Sequence, residues 1–307
     1  CIIKLSPTRR TIIKELYCKM QNYVLFTDSG SDIPRETLEK WGVGSCDLTF
    51  VFDDSDTVYT SETMPPREFY KKMRDGHTVK TSAVNVDVFL EAFEKVLKEG
   101  KDILYLALST ALSGTYSAGC VAAKELCEKY PERRITVIDS LCGSAGLGLL
   151  VYMTAKKRDE GADLDAAADF AEKTKLTIGH WFTVDDLVYL RRGGRISPTA
   201  AVVGGLLGIK PVLHMDDEGH LVSFSKARGR KKAIQMLCDK YGELALSPKE
   251  NPAIITHGDC ESEAVELKKM LVEKYDANVI LVEYHGATTG AHAGPGVVGL
   301  FYPAKNR

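Results

Sequence analysis

The sequence predicts an α/β fold of two α/β domains, with a mostly parallel sheet in the first and a mixed sheet carrying an antiparallel hairpin in the second. Three observations predict it. In the first half, apolar runs of strand length alternate with longer amphipathic stretches, the pattern of a parallel sheet covered on both faces. In the second half, Ile209 to Leu213 and His220 to Ser225 flank Met-Asp-Asp-Glu-Gly, which signals a hairpin. The length, 307 residues, is enough for two domains that each bury a core.

Taken in order, residues 1–21 carry Lys4, Arg9, Arg10, Lys14 and Lys19 against Glu15. They lack the continuous apolar stretch of a signal peptide and read as an extension outside the domain. Val24 to Thr27 and Ser45 to Phe52 are strand-like. Val86 to Glu99 spaces Val88, Phe89, Ala92, Phe93, Val96 and Leu97 as the buried face of a helix, capped by the loop Lys80 to Asn85. Ile103 to Leu108 is a buried strand, followed by a helix that starts near Thr115 and runs through Ala122 to Tyr130. Ile135 to Asp139 is a further strand, and a long helical stretch runs from about Gly146 to Lys173. The domain boundary falls near residue 156, giving an N-terminal domain over 22–155 and a C-terminal domain over 156–307. After the hairpin come strands at Ala253 to Thr256, Val279 to Glu283 and Val297 to Phe301.

Composition narrows the function. The chain is 44% hydrophobic and 27% charged with a formal net charge of −2, so it lacks the large field that nucleic acid or an anionic membrane would require. No apolar run approaches the ~18 residues of a membrane span. An integral membrane protein is not expected, and transient membrane contact is compatible with the sequence. The eight cysteines include no Cys-x-x-Cys pair and sit in apolar or helical text, as reduced cysteines of a cytoplasmic protein do. No cofactor and no metal are expected.

Several stretches carry possible chemistry. Leu108-Ser-Thr-Ala-Leu-Ser-Gly-Thr115 crowds Ser109, Thr110, Ser113 and Thr115 into a strand-to-helix turn. A helix starting there presents unpaired N–H groups and a positive dipole end, an anion site; ordinary capping by Ser113 is the alternative. Thr27 to Pro34 and Lys80 to Asn85 are two more hydroxyl-rich loops that can share that crevice, and Asp28 and Asp32 read more simply as turn residues than as metal ligands. Asp139 to Gly148 has glycines in the reverse of the dinucleotide spacing, and no phosphate-binding loop occurs; close helix packing explains those glycines. In Leu190-Arg-Arg-Gly-Gly-Arg-Ile-Ser-Pro198, Arg195 can hold an anion bidentately. The helix that follows, Thr199 to Leu207, is small and apolar, and the pair Gly204 and Gly205 implies close approach by a helix or an apolar ligand. His214 and His220 belong to the hairpin. Lys226 to Lys232 is a basic run at a helix start, either solvated or a docking site for an acidic partner. His292, in Gly-Ala-His-Ala-Gly-Pro-Gly, is a candidate ligand contact, and His257 a weaker one.

Thr27-Asp-Ser-Gly-Ser-Asp, Lys80-Thr-Ser, Leu112-Ser-Gly-Thr-Tyr116, Gly193-Gly-Arg-Ile-Ser197 and His292-Ala-Gly-Pro-Gly296 stand in an order and spacing that resemble the DegV family. The likeness runs from about residue 22 to the end, departing from the family where Gln-Pro usually follows Thr-Ser. It implies two α/β domains with one long-chain fatty acid, such as palmitate, stearate or oleate, buried between and within them. It further implies that Thr81 and Ser113 bind the carboxylate, with Arg195 and His292 beside them. Gly204, Gly205 and Leu206 would line the tail tunnel, and Arg228 would dock the ATP-binding subunit of a fatty acid kinase. On this reading the protein is a carrier without catalytic residues. The competing readings are a serine-dependent acyl hydrolase using Ser113 and His292, and a sensor of a non-lipid small molecule.

Overall fold

The computed structural model describes residues 22–196 and 208–307. The first part contains β1 (Tyr23–Asp28), α1 (Arg35–Lys40), β2 (Val43–Cys46), β3 (Thr49–Phe52), α2 (Pro66–Arg74), β4 (Val79–Ser82), α3 (Val86–Lys98), β5 (Asp102–Ala107), α4 (Thr115–Lys129), β6 (Ile135–Asp139) and α5 (Ala145–Asp159). It continues with α6 (Leu164–Thr174), β7 (Ile178–Thr183), α7 (Val188–Arg192), β8 (Ile209–Met215), β9 (Leu221–Arg228), α8 (Arg230–Leu244), β10 (Pro252–His257), α9 (Glu261–Tyr275), β11 (Asn278–Tyr284), α10 (Ala287–Ala293) and β12 (Val298–Pro303). One four-stranded sheet has the order β2-β1-β5-β6 and is parallel throughout. A six-stranded sheet has the order β11-β10-β12-β7-β8-β9; it is mixed, with β10–β11 parallel and the other pairs antiparallel. The α/β class and both sheet types match the sequence expectation.

Local chemistry accounts for the elements. Asn85 caps α3 by accepting from Val88 N at 3.0 Å, and Phe89, Phe93 and Leu97, four residues apart, bury the helix face against Phe26 and Tyr105. Pro66 opens α2, where its missing N–H is no loss. The anticipated hairpin is β8–β9, with Asp216 accepting from His220 N at 2.8 Å across the turn.

Two expectations need correction, and one strand was not read from the sequence. Ser45 to Phe52 is not one strand: Leu48 N donates to Ser29 Oγ at 2.9 Å and Asp47 pairs with Arg35 at 2.6 Å. The chain therefore leaves the parallel sheet and re-enters as β3, antiparallel to β4. Gly146 to Lys173 is two helices, broken at Gly161 with φ of 101° and restarted by Asp163, which accepts from Ala166 N at 2.9 Å. The strand β7 is buried on both faces, so it offers no alternation to read.

Helix α5 packs against strands of both sheets and is buried along most of its length; residue 156, the expected boundary, lies inside it. A second junction is formed by Asp32, which follows β1 and accepts from Thr289 Oγ1 of α10 at 2.8 and 2.7 Å through its two oxygens. His285 Nδ1 lies 3.7 Å from the same carboxyl, and a side chain at Gly286 would collide with it. Burial pushes the Asp32 carboxyl up to about 7 against the hydrogen bonds it accepts, and burial holds His285 down at about 3. Below about pH 7 the two therefore meet as neutral groups with the proton on Asp32.

Two outcomes follow. Gly146 faces His180, whose Nε2 occupies the space a Cβ would need; that ring is buried, donates to Ile178 O at 2.8 Å and accepts from Gly143 N at 3.3 Å. Gly146→Ala should therefore destabilise by about 1–3 kcal/mol despite its better helix propensity, read as a lower urea midpoint. For Asp32, the folded carboxyl at about 7 lies above the ordinary value near 4. Its contribution to stability is fully present below that ordinary value and is lost as pH rises through about 7. Asp32→Asn keeps an acceptor for Thr289 but removes the titration. The stability advantage of wild type over Asp32→Asn should shrink between about pH 5 and about pH 8, by about 2–3 kcal/mol; an advantage that grows instead would contradict the neutral pair.

Candidate functional site

The two sheets, the β3–β4 ribbon and α10 line a cavity of about 160 Å³. Leu108, Leu112, Phe182, Met215, Leu221 and Phe301 give it an apolar wall. Thr81, Ser113, Arg195 and His292 all line it, and each is half-buried. They arrive from four segments: the strand β4, the loop before α4, the turn after α7 and the last turn of α10.

Their geometry is specific. Thr81 Oγ1 and His292 Nε2 are 2.9 Å apart. His292 lies over Gly193, where a Cβ would fall on its Nδ1, so glycine in the turn after α7 is what admits the imidazole. Burial, then the charge of Arg195, pushes His292 down to about 4; it is a neutral imidazole at pH 7. Arg195 Nε donates to Leu112 O at 3.0 Å, and its Nη1 donates to Gly193 O. Among the described residues no carboxylate lies within ion-pair reach of Arg195, and burial lowers its pKa. Ser113 Oγ is 2.8 Å from Thr115 Oγ1, which in turn accepts from Val84 N at 3.3 Å, so one hydroxyl chain ties the β4 loop to the start of α4.

The four hydroxyls of the β5–α4 turn divide between two tasks. Ser109 Oγ donates to Gly219 O at 3.3 Å, anchoring the β8–β9 turn. Thr110 Oγ1 donates to Asp139 at 2.5 Å. Only Ser113 reaches the cavity wall. It is not the cap of α4: Gly114 occupies that position without a side-chain bond, and Ser113 Oγ accepts from Thr115 N at 3.2 Å.

The other singled-out residues separate cleanly. Asp28 is a turn residue, accepting from Gly30 N, Leu108 N and Tyr105 Oη at 3.0, 2.9 and 2.7 Å, with its carboxyl pushed up to about 6 by burial. Neither it nor Asp32 belongs to a metal-capable group; among the described residues that description fits Asp53, Asp54 and His77, which stand away from the cavity wall. His214 stacks on Trp181 at 5.0 Å, and His257 is buried off the cavity. Cys46, Cys142 and Cys238 are buried free thiols. The glycines of the β6–α5 turn serve packing, Gly146 against His180 and Gly148 against Ile33. Lys226 and Arg228 are exposed on the edge strand β9, two residues apart and so on one face. Gly204, Gly205 and Leu206 lie outside the described residues.

Sequence reasoning missed Ser144, His285, Thr288 and Thr289, all on the cavity wall. The Thr-Thr pair immediately before Gly-Ala-His was the available signal. Nothing local marks His285, which reaches the wall only because β11 ends there. No helix among the described residues is long and apolar enough to cross a membrane.

A family model described as "Uncharacterised protein, DegV family" matches residues 22–305. A DegV domain-containing protein of Clostridium perfringens is 40% identical over 284 residues, spanning 92% of this chain and 98% of the relative. Among solved structures, a DegV lipid-binding protein from Thermotoga maritima superposes with a TM-score of 0.81 at 30% identity, covering 93% of this chain and 99% of its own. A DegV family protein from Thermus thermophilus, described by its fatty acid binding, gives 0.82 at 30% identity over 91% and 98%. The match over nearly the whole length of both chains establishes that this chain belongs to the DegV family.

Proposed function

We propose that this protein binds a single long-chain fatty acid in the cavity and presents its carboxylate, in the cytoplasm, to the ATP-binding subunit of a fatty acid kinase for acyl-phosphate formation. The observation that carries the reading is Arg195, a half-buried guanidinium without a carboxylate partner among the described residues, set at the polar end of an apolar cavity. A cation drawn partly out of water is stabilised by a counter-charge, and a ligand carboxylate supplies one. Thr81 and Ser113 supply hydroxyl donors, and neutral His292 adds a ring nitrogen without competing for the charge. The lipid described for both solved relatives supports the same ligand class.

The energetics divide the work. Burying a sixteen-carbon tail at ~0.8 kcal/mol per CH₂ offers on the order of 12 kcal/mol gross, against ~1.5–3 for each hydrogen bond to a carboxylate. The tail sets affinity and the head sets register. The hydrolase reading needs Ser113 bonded to His292; here Ser113 bonds Thr115 and His292 bonds Thr81, an arrangement that favours a carrier. The chain has no Gly-Lys-Ser/Thr phosphate loop, in keeping with ATP chemistry supplied by a separate subunit.

Ser113→Ala should weaken fatty acid binding by roughly one to two powers of ten while the tail still holds the ligand, measured by displacement of a fluorescent acyl probe. Turnover of an activated acyl ester by wild type that vanishes in the mutant, with affinity unchanged, would replace the carrier by an enzyme. Arg228 is exposed on the edge strand in the basic run and is not part of the cavity lining. Arg228→Ala should leave probe displacement intact and lower acyl-phosphate formation by the added kinase several-fold; equal loss of both would remove the docking role.

A further inference from the structure

We propose that the cavity contains a second polar subsite, at Thr288, that recognises a hydroxyl group on the acyl chain near its carboxylate. Thr288 is 2% exposed and lines the cavity. Its Oγ1 is buried without a hydrogen-bond partner among the described residues, and of the residues with a side-chain atom in that condition Thr288 alone lines this cavity. Native interiors rarely leave a buried hydroxyl unpaired, because its desolvation is then uncompensated.

The surroundings define the complement. Thr288 precedes His292 by four residues on α10, so the two side chains share a face about 6 Å apart along the axis. The subsite therefore lies about one helical turn from the head group, on the same wall. Its polar neighbours are already engaged: Ser144 Oγ meets His285 Nδ1 at 3.2 Å, that nitrogen also meets Thr256 Oγ1 at 2.9 Å, and Thr289 donates to Asp32. Among the described residues Arg195, at the head-group end, is the one guanidinium or ammonium on the wall, so a second anion finds no counter-charge here, and no carboxylate among them lines the cavity to hold an amine. A neutral group that both donates and accepts satisfies Thr288, and on an acyl chain that group is a hydroxyl. The ligand class is a hydroxylated long-chain fatty acid, with palmitate-like acids accommodated at the cost of leaving Thr288 unpaired.

The subsite rests on the fatty acid reading, and one displacement series separates the two. Palmitate, its positional isomers hydroxylated on the carbons near the carboxylate, and ω-hydroxypalmitate would compete for a fluorescent acyl probe on the full chain. At least one proximal isomer should bind about three- to tenfold more tightly than palmitate, and the ω-isomer more weakly, because its hydroxyl enters an apolar wall. Thr288→Val should abolish the proximal preference and Thr288→Ser should retain it. If palmitate binds and no proximal isomer exceeds it, or if the preference survives in Thr288→Val, the subsite is refuted while the carrier stands. Failure of every acid to displace the probe overturns the fatty acid reading and the subsite with it. Should Thr288→Val not fold, the wild-type isomer series decides alone.

Discussion

A carboxyl buried without a cation is the constraint around which the rest is arranged. Asp32 leaves the first sheet at the end of a single 3-10 turn, with φ of 54°, and reaches across to Thr289 on the segment between β11 and β12. Glycine at 286 is what lets the two segments approach. Held in place, the segment is fixed from its other side by Tyr70, whose hydroxyl donates to His285 O at 2.7 Å, and by the cluster in which Phe50, Phe69 and Tyr70 pack on Ala287 and Ala291. The short helix α10 is thereby located by polar bonds to one sheet and apolar contacts to the β3–β4 ribbon. Thr288 and His292, on its cavity face, inherit that placement.

From this follows the division of the cavity into a polar end and an apolar body. Thr81 comes from the ribbon, Ser113 from the first sheet, Arg195 and His292 from segments beside the second. None is bonded to a carboxylate among the described residues, and the side-chain bonds they do make are to hydroxyls, a ring nitrogen, carbonyls and one backbone N–H. Those partners orient the groups without neutralising Arg195. A guanidinium that already had an acid beside it would be a structural tie; one oriented by carbonyls keeps its charge available. The same absence of acids leaves His292 neutral, since burial and the Arg195 charge both act against its protonation.

The fold was largely legible because its signals are local. Strand runs such as Ile103 to Leu108, the Asn85 cap and the Asp-Asp-Glu-Gly hairpin each declare themselves within a few residues. What escaped depends on tertiary context: β7 is buried on both faces and shows no period, and the break at Leu48 comes from a bond to Ser29, nineteen residues away. For the site, the five motifs led to Thr81, Ser113, Arg195 and His292, and the fold brings all four to one cavity. The motifs alone do not say which hydroxyl of Leu108 to Thr115 faces it; Ser109 and Thr110 are spent on Gly219 and Asp139. Nor do they mark His285 or Ser144, whose places are set by a strand end and a helix start more than a hundred residues apart.

Because the polar end is assembled from segments of both sheets, it exists only while the junction between them holds. Thr81 sits on a two-stranded ribbon, and such a ribbon is marginal alone; its hydroxyl finds His292 only because α10 is docked on Asp32 and Tyr70. Any occupant that contacts Thr81, Ser113, Arg195 and His292 together must therefore bind the assembled state in preference to a loosened one, and by mass action it stabilises that junction. The converse also holds: loosening the Asp32–Thr289 contact would separate Thr81 and His292 before it disturbed the parallel sheet, whose β1–β5 core is secured independently by Asp28 against Tyr105 and Leu108. The polar end of the cavity thus depends on the small polar junction, while the larger apolar cores on either side act as fixed supports.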